Sequence, residues 1–187
     1  MVLTKAYDVV ILFSGGADST LLVKMALSTG LRPLCVFVNY GQKHVIEYSA
    51  AKALADKLKV MLTVLDFSAF GEVSKSNLTT PGNKIQYEGV NFHNVPCRNT
   101  FLLSIATAIA ESEGIPLVWY GADFSDRLNL FPDCYQEYVM KMNELFSATT
   151  STKVRVEAPL LGLTKEMVKE LLKNVFGIGS EEIHSGY

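Results

Sequence analysis

The first apolar run of the chain, over 9–13, is unbroken and stops at Ser14-Gly15-Gly16. Unbroken apolar runs bounded by turn residues mark strands buried on both faces, the kind a parallel sheet uses. Over 18–28 the period changes. Leu21, Leu22, Met25 and Ala26 recur at helical spacing, and Gly30 ends the pattern. A second strand is expected over 34–39 and a third over 61–67. Between them lies a helix over 44–59, with Ala51, Leu54, Ala55 and Leu58 on one face. This succession predicts an α/β fold, a three-layer, open, mostly parallel sheet with crossover helices. The rhythm resumes with a helix over 100–113, a short strand over 117–120 closed by Gly121, and helices over 133–146 and 164–175. An extended segment over 154–158 is expected between those last two helices.

Two stretches break the rhythm. Residues 68–98 are polar and turn-rich, with breaks at Pro81-Gly82-Asn83 and Asn94-Val95-Pro96. Residues 122–133 leave the fourth strand without a periodic pattern. Long connections inside a compact domain are usually either functional or disordered, and open α/β sheets bind ligands at the carboxyl ends of their strands.

Composition narrows the function classes. A chain of 187 residues is expected to form one domain, 1–187. With 17 basic and 19 acidic residues it carries no electrostatic footprint for nucleic-acid or membrane-surface binding. Cys35, Cys97 and Cys134 have neither the number nor the spacing of a disulfide framework or a zinc cluster. No signal peptide precedes the first strand and no apolar run is long enough to span a bilayer, so a soluble cytoplasmic protein is expected.

The most informative local string is Phe13-Ser14-Gly15-Gly16-Ala17-Asp18-Ser19-Thr20, between the first strand and the first helix. Two glycines allow close backbone approach, a helix N-terminus offers free N–H groups, and three hydroxyls add donors. Such a loop suits an anion, above all a phosphate. It has no lysine for a Walker motif and lacks the third glycine of the dinucleotide fingerprint. An ordinary strand-to-helix turn capped by Asp18 or Ser19 is the plain alternative.

The Ser-Gly-Gly-x-Asp-Ser string resembles the pyrophosphate loop of the ATP-pyrophosphatase superfamily, whose fold is adenine nucleotide α-hydrolase-like. Four further strings narrow the likeness: Asn39-Tyr40-Gly41-Gln42-Lys43-His44 with Glu47, Val95-Pro96-Cys97-Arg98-Asn99, Pro132-Asp133-Cys134, and Pro159-Leu160-Leu161 with Lys165. In order and spacing these resemble the QueC family of queuosine biosynthesis, over residues 9–168. The resemblance implies an ATP-dependent ligase working with Mg²⁺ on 7-carboxy-7-deazaguanine and ammonia. Two adenylations would give first an amide and then a nitrile. It also implies a homodimer acting on small molecules. A related adenylating ligase with another substrate, or one stopping at the amide, and a non-catalytic nucleotide-binding module are the competing readings.

Lys165 stands out on physical grounds. In the first turn of a helix capped by Thr164, a cation opposes the helix dipole at a cost of roughly 0.3–1 kcal/mol, which a polyphosphate would remove. The resemblance makes it the group that holds departing pyrophosphate. Arg98 also begins a helix, and its planar fork suits a phosphate or carboxylate, with a surface ion pair as the plain alternative. Asp18 is either a helix cap or, by resemblance, an organiser of Mg²⁺ or of the loop. With Arg98 and Lys165 it forms the expected catalytic set. The expected nucleotide-binding set is Phe13 to Thr20 with Leu21, Leu22, Val23 and Asn39, the last where superfamily relatives read adenine. Asp126, Asp133 and Phe131 are expected to bind substrate. For Asp133 a helix cap is the plain alternative, and Phe92, Phe124 and Phe131 equally suit simple packing. His44 and Glu47 read as a local ion pair, and neither Cys97 nor Cys134 has a visible activating partner. No residue is assigned as a metal ligand.

The resemblance also implies a four-cysteine zinc site. Here Gly186 stands where its first ligand belongs, in Ser185-Gly186-Tyr187, and the other three are absent. No zinc is therefore expected, and the C-terminal segment must be held by a partner subunit or by packing of Ile178, Ile183 and Tyr187.

Overall fold

Strand β1 (Val9–Leu12) is apolar throughout because both of its faces are covered. Val9, Ile11 and the following Phe13 point into one apolar cluster and Val10 into another, the period-two alternation of a strand between two helical layers. The computed structural model describes residues 6–42, 45–74, 95, 97–128 and 131–183. Within them, β1 is followed by α1 (Ala17–Ser28), β2 (Pro33–Asn39), α2 (Val45–Leu58), β3 (Met61–Asp66) and α3 (Ala69–Ser74). Then come α4 (Arg98–Ser112), β4 (Leu117–Trp119), α5 (Phe124–Leu128), α6 (Gln136–Thr149), β5 (Arg155–Glu157) and α7 (Lys165–Asn174).

The five strands form one parallel sheet in the order β3-β2-β1-β4-β5. Helices α1, α2 and α7 supply Leu21, Leu22, Leu54, Val168 and Leu172 to the cluster on one face. Helices α4 and α6 supply Leu103, Ala106, Met142 and Phe146 to the other. The expected three layers are present. No helix among the described residues is long and apolar enough to cross a membrane.

The corrections fall where no apolar stripe announced an element. Residues 122–133, expected to be irregular, contain α5 and a 3-10 turn, Pro132–Cys134. Helix α5 forms because Asp123 Oδ1 accepts the Asp126 N–H at 3.0 Å while Asp126 Oδ2 accepts the Asp123 N–H at 3.4 Å. That reciprocal cap is local hydrogen bonding and leaves no hydrophobic period to read. The helix expected from Asp133 starts at Gln136, because Tyr135 is extended. Residues 68–98 are structured at both ends, by α3 and by the start of α4. Their interior breaks at Pro81-Gly82-Asn83, Asn94 and Pro96 lie outside the described residues, as do Lys43, His44, Phe92, Asn129, Leu130 and Ser185-Gly186-Tyr187.

The C-terminal segment is held partly as expected. Ile178 is buried in the cluster with Leu172, Ile183 packs against the same cluster, and Lys57 on α2 forms an ion pair with Glu182.

Gly15 has φ +78°, and a Cβ there would lie 2.9 Å from the Ala51 Cα of α2; Gly114 has φ +66° with open space around it. Gly114→Ala should therefore cost only left-handed strain, about 1 kcal/mol, and Gly15→Ala about 2–4 kcal/mol because a backbone must also move. Urea midpoints of the two variants measure the difference; equal losses would mean that α2 yields freely.

Candidate active site at the carboxyl ends of β1, β4 and β5

The chain leaves β1 towards β2 on one side, while β4 and β5 lie on the other. The carboxyl ends of β1 and β4 therefore flank a topological switch point, the crevice where open α/β sheets bind ligands. Three segments reach it: the glycine loop after β1, residues 121–128 after β4, and the approach to α7 after β5.

The glycine loop is shaped by its own hydroxyls. Ser14 N–H donates to Ser19 Oγ at 3.3 Å, Gly16 N–H donates to Ser14 Oγ at 3.3 Å, and Ser19 Oγ donates to the Gly16 carbonyl at 3.2 Å. Gly16 occupies the cap position of α1 and no side chain caps the helix. Asp18 is thus not the cap, and the first-turn N–H groups are left for water or an anion. Phe13, Leu21, Leu22 and Val23 are core residues, with Leu21, Leu22 and Val23 fully buried. What they offer a ligand is backbone alone.

Asp18 turns instead towards Lys165, across the crevice. Lys165 Nζ lies 2.5 Å from Asp18 Oδ2, 2.9 Å from Asp123 Oδ2 and 3.7 Å from Asp126 Oδ2. Thr164 caps α7 as expected, accepting the Met167 N–H at 3.3 Å. The Lys165 N–H donates to Ser125 Oγ at 3.0 Å, and Phe124 N–H donates to the Leu163 carbonyl at 2.8 Å. Helix α5 and the first turn of α7 are therefore stapled together. Three carboxylates, rather than a polyphosphate alone, offset the dipole conflict of Lys165.

The charges do not cancel, since one ammonium serves three carboxylates. Burial pushes the Asp18 carboxyl up to about 6; Lys165 pulls it down, but Asp123 and Asp126 push it further up. Asp126 is raised in the same way, chiefly by burial. Burial alone would lower the Lys165 ammonium, yet Asp18, Asp123 and Asp126 outweigh it and hold the group above its ordinary value. Asp18 Oδ1 is buried without a hydrogen-bond partner. A Cβ on Gly121 would lie 2.8 Å from the Asp18 Cβ, so only glycine admits Asp18 here.

Arg98 begins α4 near this group, close enough to favour the charged forms of Asp126 and Cys134. Burial nevertheless raises the Cys134 thiol well above its usual range, in keeping with an inert cysteine. Asp126, expected with the substrate set, joins the ion cluster. Asp133 does not cap α6; its carbonyl accepts the Tyr120 hydroxyl at 2.9 Å and its Oδ1 accepts the Cys134 thiol at 3.6 Å. Phe131 packs against the α4–α6 core cluster. Asn39 stays at the end of β2, where Nδ2 donates to Asp66, Oδ1 accepts the Gly41 N–H at 3.1 Å, and the carbonyl accepts the Phe67 N–H at 2.7 Å. Sequence reasoning missed Asp123 and Ser125. The signal for Asp123 was available in the Asp-x-x-Asp spacing directly after Gly121-Ala122.

A carboxyl raised from 3.8 to about 6 binds a proton more readily folded than unfolded. Its contribution to stability is therefore greatest below pH 4 and is lost as pH rises through 6. Asp18→Asn should gain up to about 3 kcal/mol on the wild type between pH 4 and pH 7. Urea unfolding across that range is the check, and parallel pH profiles would contradict the assignment.

The family model described as "Queuosine biosynthesis protein QueC" matches residues 8–187. The chain is 36% identical over 176 residues to the 7-cyano-7-deazaguanine synthase of Polynucleobacter asymbioticus, covering 87% of this chain and 71% of that one. It is 35% identical over 166 residues to the synthase of Marinobacter nauticus, covering 86% and 75%. Among solved structures, the U34-tRNA thiolase NcsA of Methanococcus maripaludis superposes with a TM-score of 0.63 at 18% identity. That match takes in 100% of this chain and 61% of the thiolase. The NH3-dependent NAD synthetase of Campylobacter jejuni gives 0.54 at 14% identity, covering 92% of this chain and 66% of the synthetase. Likeness at these identities establishes the fold, that of the adenine nucleotide α-hydrolases. With a family match along nearly the whole chain and relatives above 30% identity, the chain belongs to the QueC family of queuosine biosynthesis proteins.

Proposed function

We propose that this chain is an ATP-dependent ligase converting 7-carboxy-7-deazaguanine and ammonia into 7-cyano-7-deazaguanine. The observation that carries the reading is the convergence of the uncapped α1 N-terminus and the Lys165 ammonium on one crevice. In this scheme a carboxylate oxygen of the substrate attacks the α-phosphorus of ATP, and the bond to pyrophosphate breaks. Ammonia then displaces AMP, releasing a proton and leaving the amide. The amide oxygen then attacks the α-phosphorus of a second ATP, releasing a second pyrophosphate, and loss of AMP and the two nitrogen-bound protons leaves the nitrile.

Each adenylation gathers negative charge on the departing pyrophosphate, so fixed dipoles and cations supply most of the acceleration. The first-turn N–H groups of α1 and the Ser14 hydroxyl hold phosphate oxygens, while the Ser19 hydroxyl holds the loop in shape. Lys165 takes charge developing on the leaving group, and Arg98 orients the substrate carboxylate. Asp133 and Phe131 border the place for the heterocycle. Asp18, Asp123 and Asp126 are the residues that would hold Mg²⁺. Their donor atoms lie within 4.8 Å of one another, and the orphaned, buried Asp18 Oδ1 suits a cation. When bound, Mg²⁺ neutralises polyphosphate charge and makes the α-phosphorus more electrophilic. The same reading has the protein working in the cytoplasm as a homodimer, on small molecules rather than nucleic acid.

Mass spectrometry of a reaction with Mg-ATP, ammonium and 7-carboxy-7-deazaguanine tests the proposal. Nitrile, AMP and pyrophosphate are expected together, with kcat lowered about 10²–10³-fold in Lys165→Ala and in Arg98→Ala. Amide alone would limit the activity to the first activation, and no deazaguanine product would remove the substrate assignment.

A further inference from the structure

We propose that the Lys165 ammonium and a divalent cation are alternative occupants of one carboxylate cradle, exchanged when the metal–nucleotide enters. The inference deepens the ATP-dependent reading above and rests on it. In the present structure Lys165 Nζ sits among Asp18, Asp123 and Asp126. Two of its three donors are within hydrogen-bond distance of Asp18 and Asp123, so turning the ammonium fully onto a pyrophosphate means giving up those contacts.

The walls of the cradle are fixed. Asp123 has no exposed surface, and its second oxygen is engaged by the Asp126 N–H. Asp18 is locked against Gly121, where no side chain would fit, and its Oδ1 still lacks a partner. The Lys165 backbone is fixed as well, by Ser125 and by the bond from Phe124 to Leu163. The Lys165 side chain is the mobile part: four flexible methylenes, 35% exposed at the mouth of the crevice. Exchange is therefore a rotation of one side chain about a fixed Cα, and α7 stays in place.

Charge decides the direction. With Lys165 inside, three carboxylates still share one ammonium, and an arriving polyphosphate adds negative charge. Moving the ammonium onto the phosphates and a divalent cation into the cradle places each anionic group against a cation. Without nucleotide nothing draws Lys165 away, and it competes with added metal for the three carboxylates.

The test uses Mn²⁺ alone with the full chain and no nucleotide, following free Mn²⁺ by electron paramagnetic resonance. Wild type and Lys165→Arg, which both keep the internal cation, should bind Mn²⁺ weakly. Lys165→Met should bind it at least about tenfold more tightly. Lys165→Gln should do the same while keeping a hydrogen-bond donor for Asp18, which guards against loss of folding. Adding Asp123→Asn to either neutral variant should abolish the gain. Equal Mn²⁺ affinity in wild type and both neutral variants, or a gain that survives Asp123→Asn, would overturn the proposal. No nucleotide or deazaguanine is present, so a failure of the synthase assignment would show in the product assay and not here.

Discussion

One ammonium shared by three carboxylates at the carboxyl ends of the sheet organises the functional half of this molecule. Lys165 follows β5, Asp18 follows β1, and Asp123 and Asp126 follow β4, so a single cation joins segments that the chain separates by up to 147 residues. The arrangement is not a stabilising one. Burial and mutual repulsion push the Asp18 carboxyl up to about 6 even with Lys165 in contact. Buried groups whose charges do not balance lower stability, and they persist where the surrounding fold is strong enough to hold them. Here that fold is two apolar layers against a five-stranded parallel sheet, with Val9, Val10 and Ile11 of β1 fully buried.

The same constraint explains the short α5. A five-residue helix has too few backbone bonds to persist unaided, and this one is held by the reciprocal Asp123–Asp126 cap and by its bonds to Leu163 and Lys165. The capping carboxylates are also the ones facing the ammonium. Local structure and site electrostatics thus share the same atoms, and a change to either acid disturbs both. Arg98, at the start of α4, lies near enough to favour the charged form of Asp126, so the opposite layer of helices is linked to this group electrostatically.

Glycines set the distances. Gly15 brings the phosphate-type loop against the backbone of α2, and Gly121 lets β4 pass directly beneath Asp18. Neither position tolerates a Cβ in the present packing. The backbone side of the crevice is accordingly fixed, while the Lys165 side chain that faces its carboxylates is partly exposed and flexible.

The chain's own pattern determined the layered α/β fold and the order of its main elements. Runs such as 9–13 and 34–39 are legible because strands covered on both faces must be apolar throughout. The glycine loop, Arg98 and Lys165 are legible because a cation at a helix start and a Gly-Gly turn after a strand both need an anion to justify them. Tertiary structure alone decided who meets whom. The placement of β4 beside β1 brings Asp123 and Asp126 to Asp18, and no local pattern records strand order. It also assigned Asp126 to the ion cluster, decided against Asp18 or Ser19 as a cap for α1, and turned Leu21, Leu22 and Val23 into core. The physical reason is the same throughout: periodicity reports which face of an element is buried, whereas charge balance in a crevice depends on side chains that only the folded sheet brings within a few ångströms.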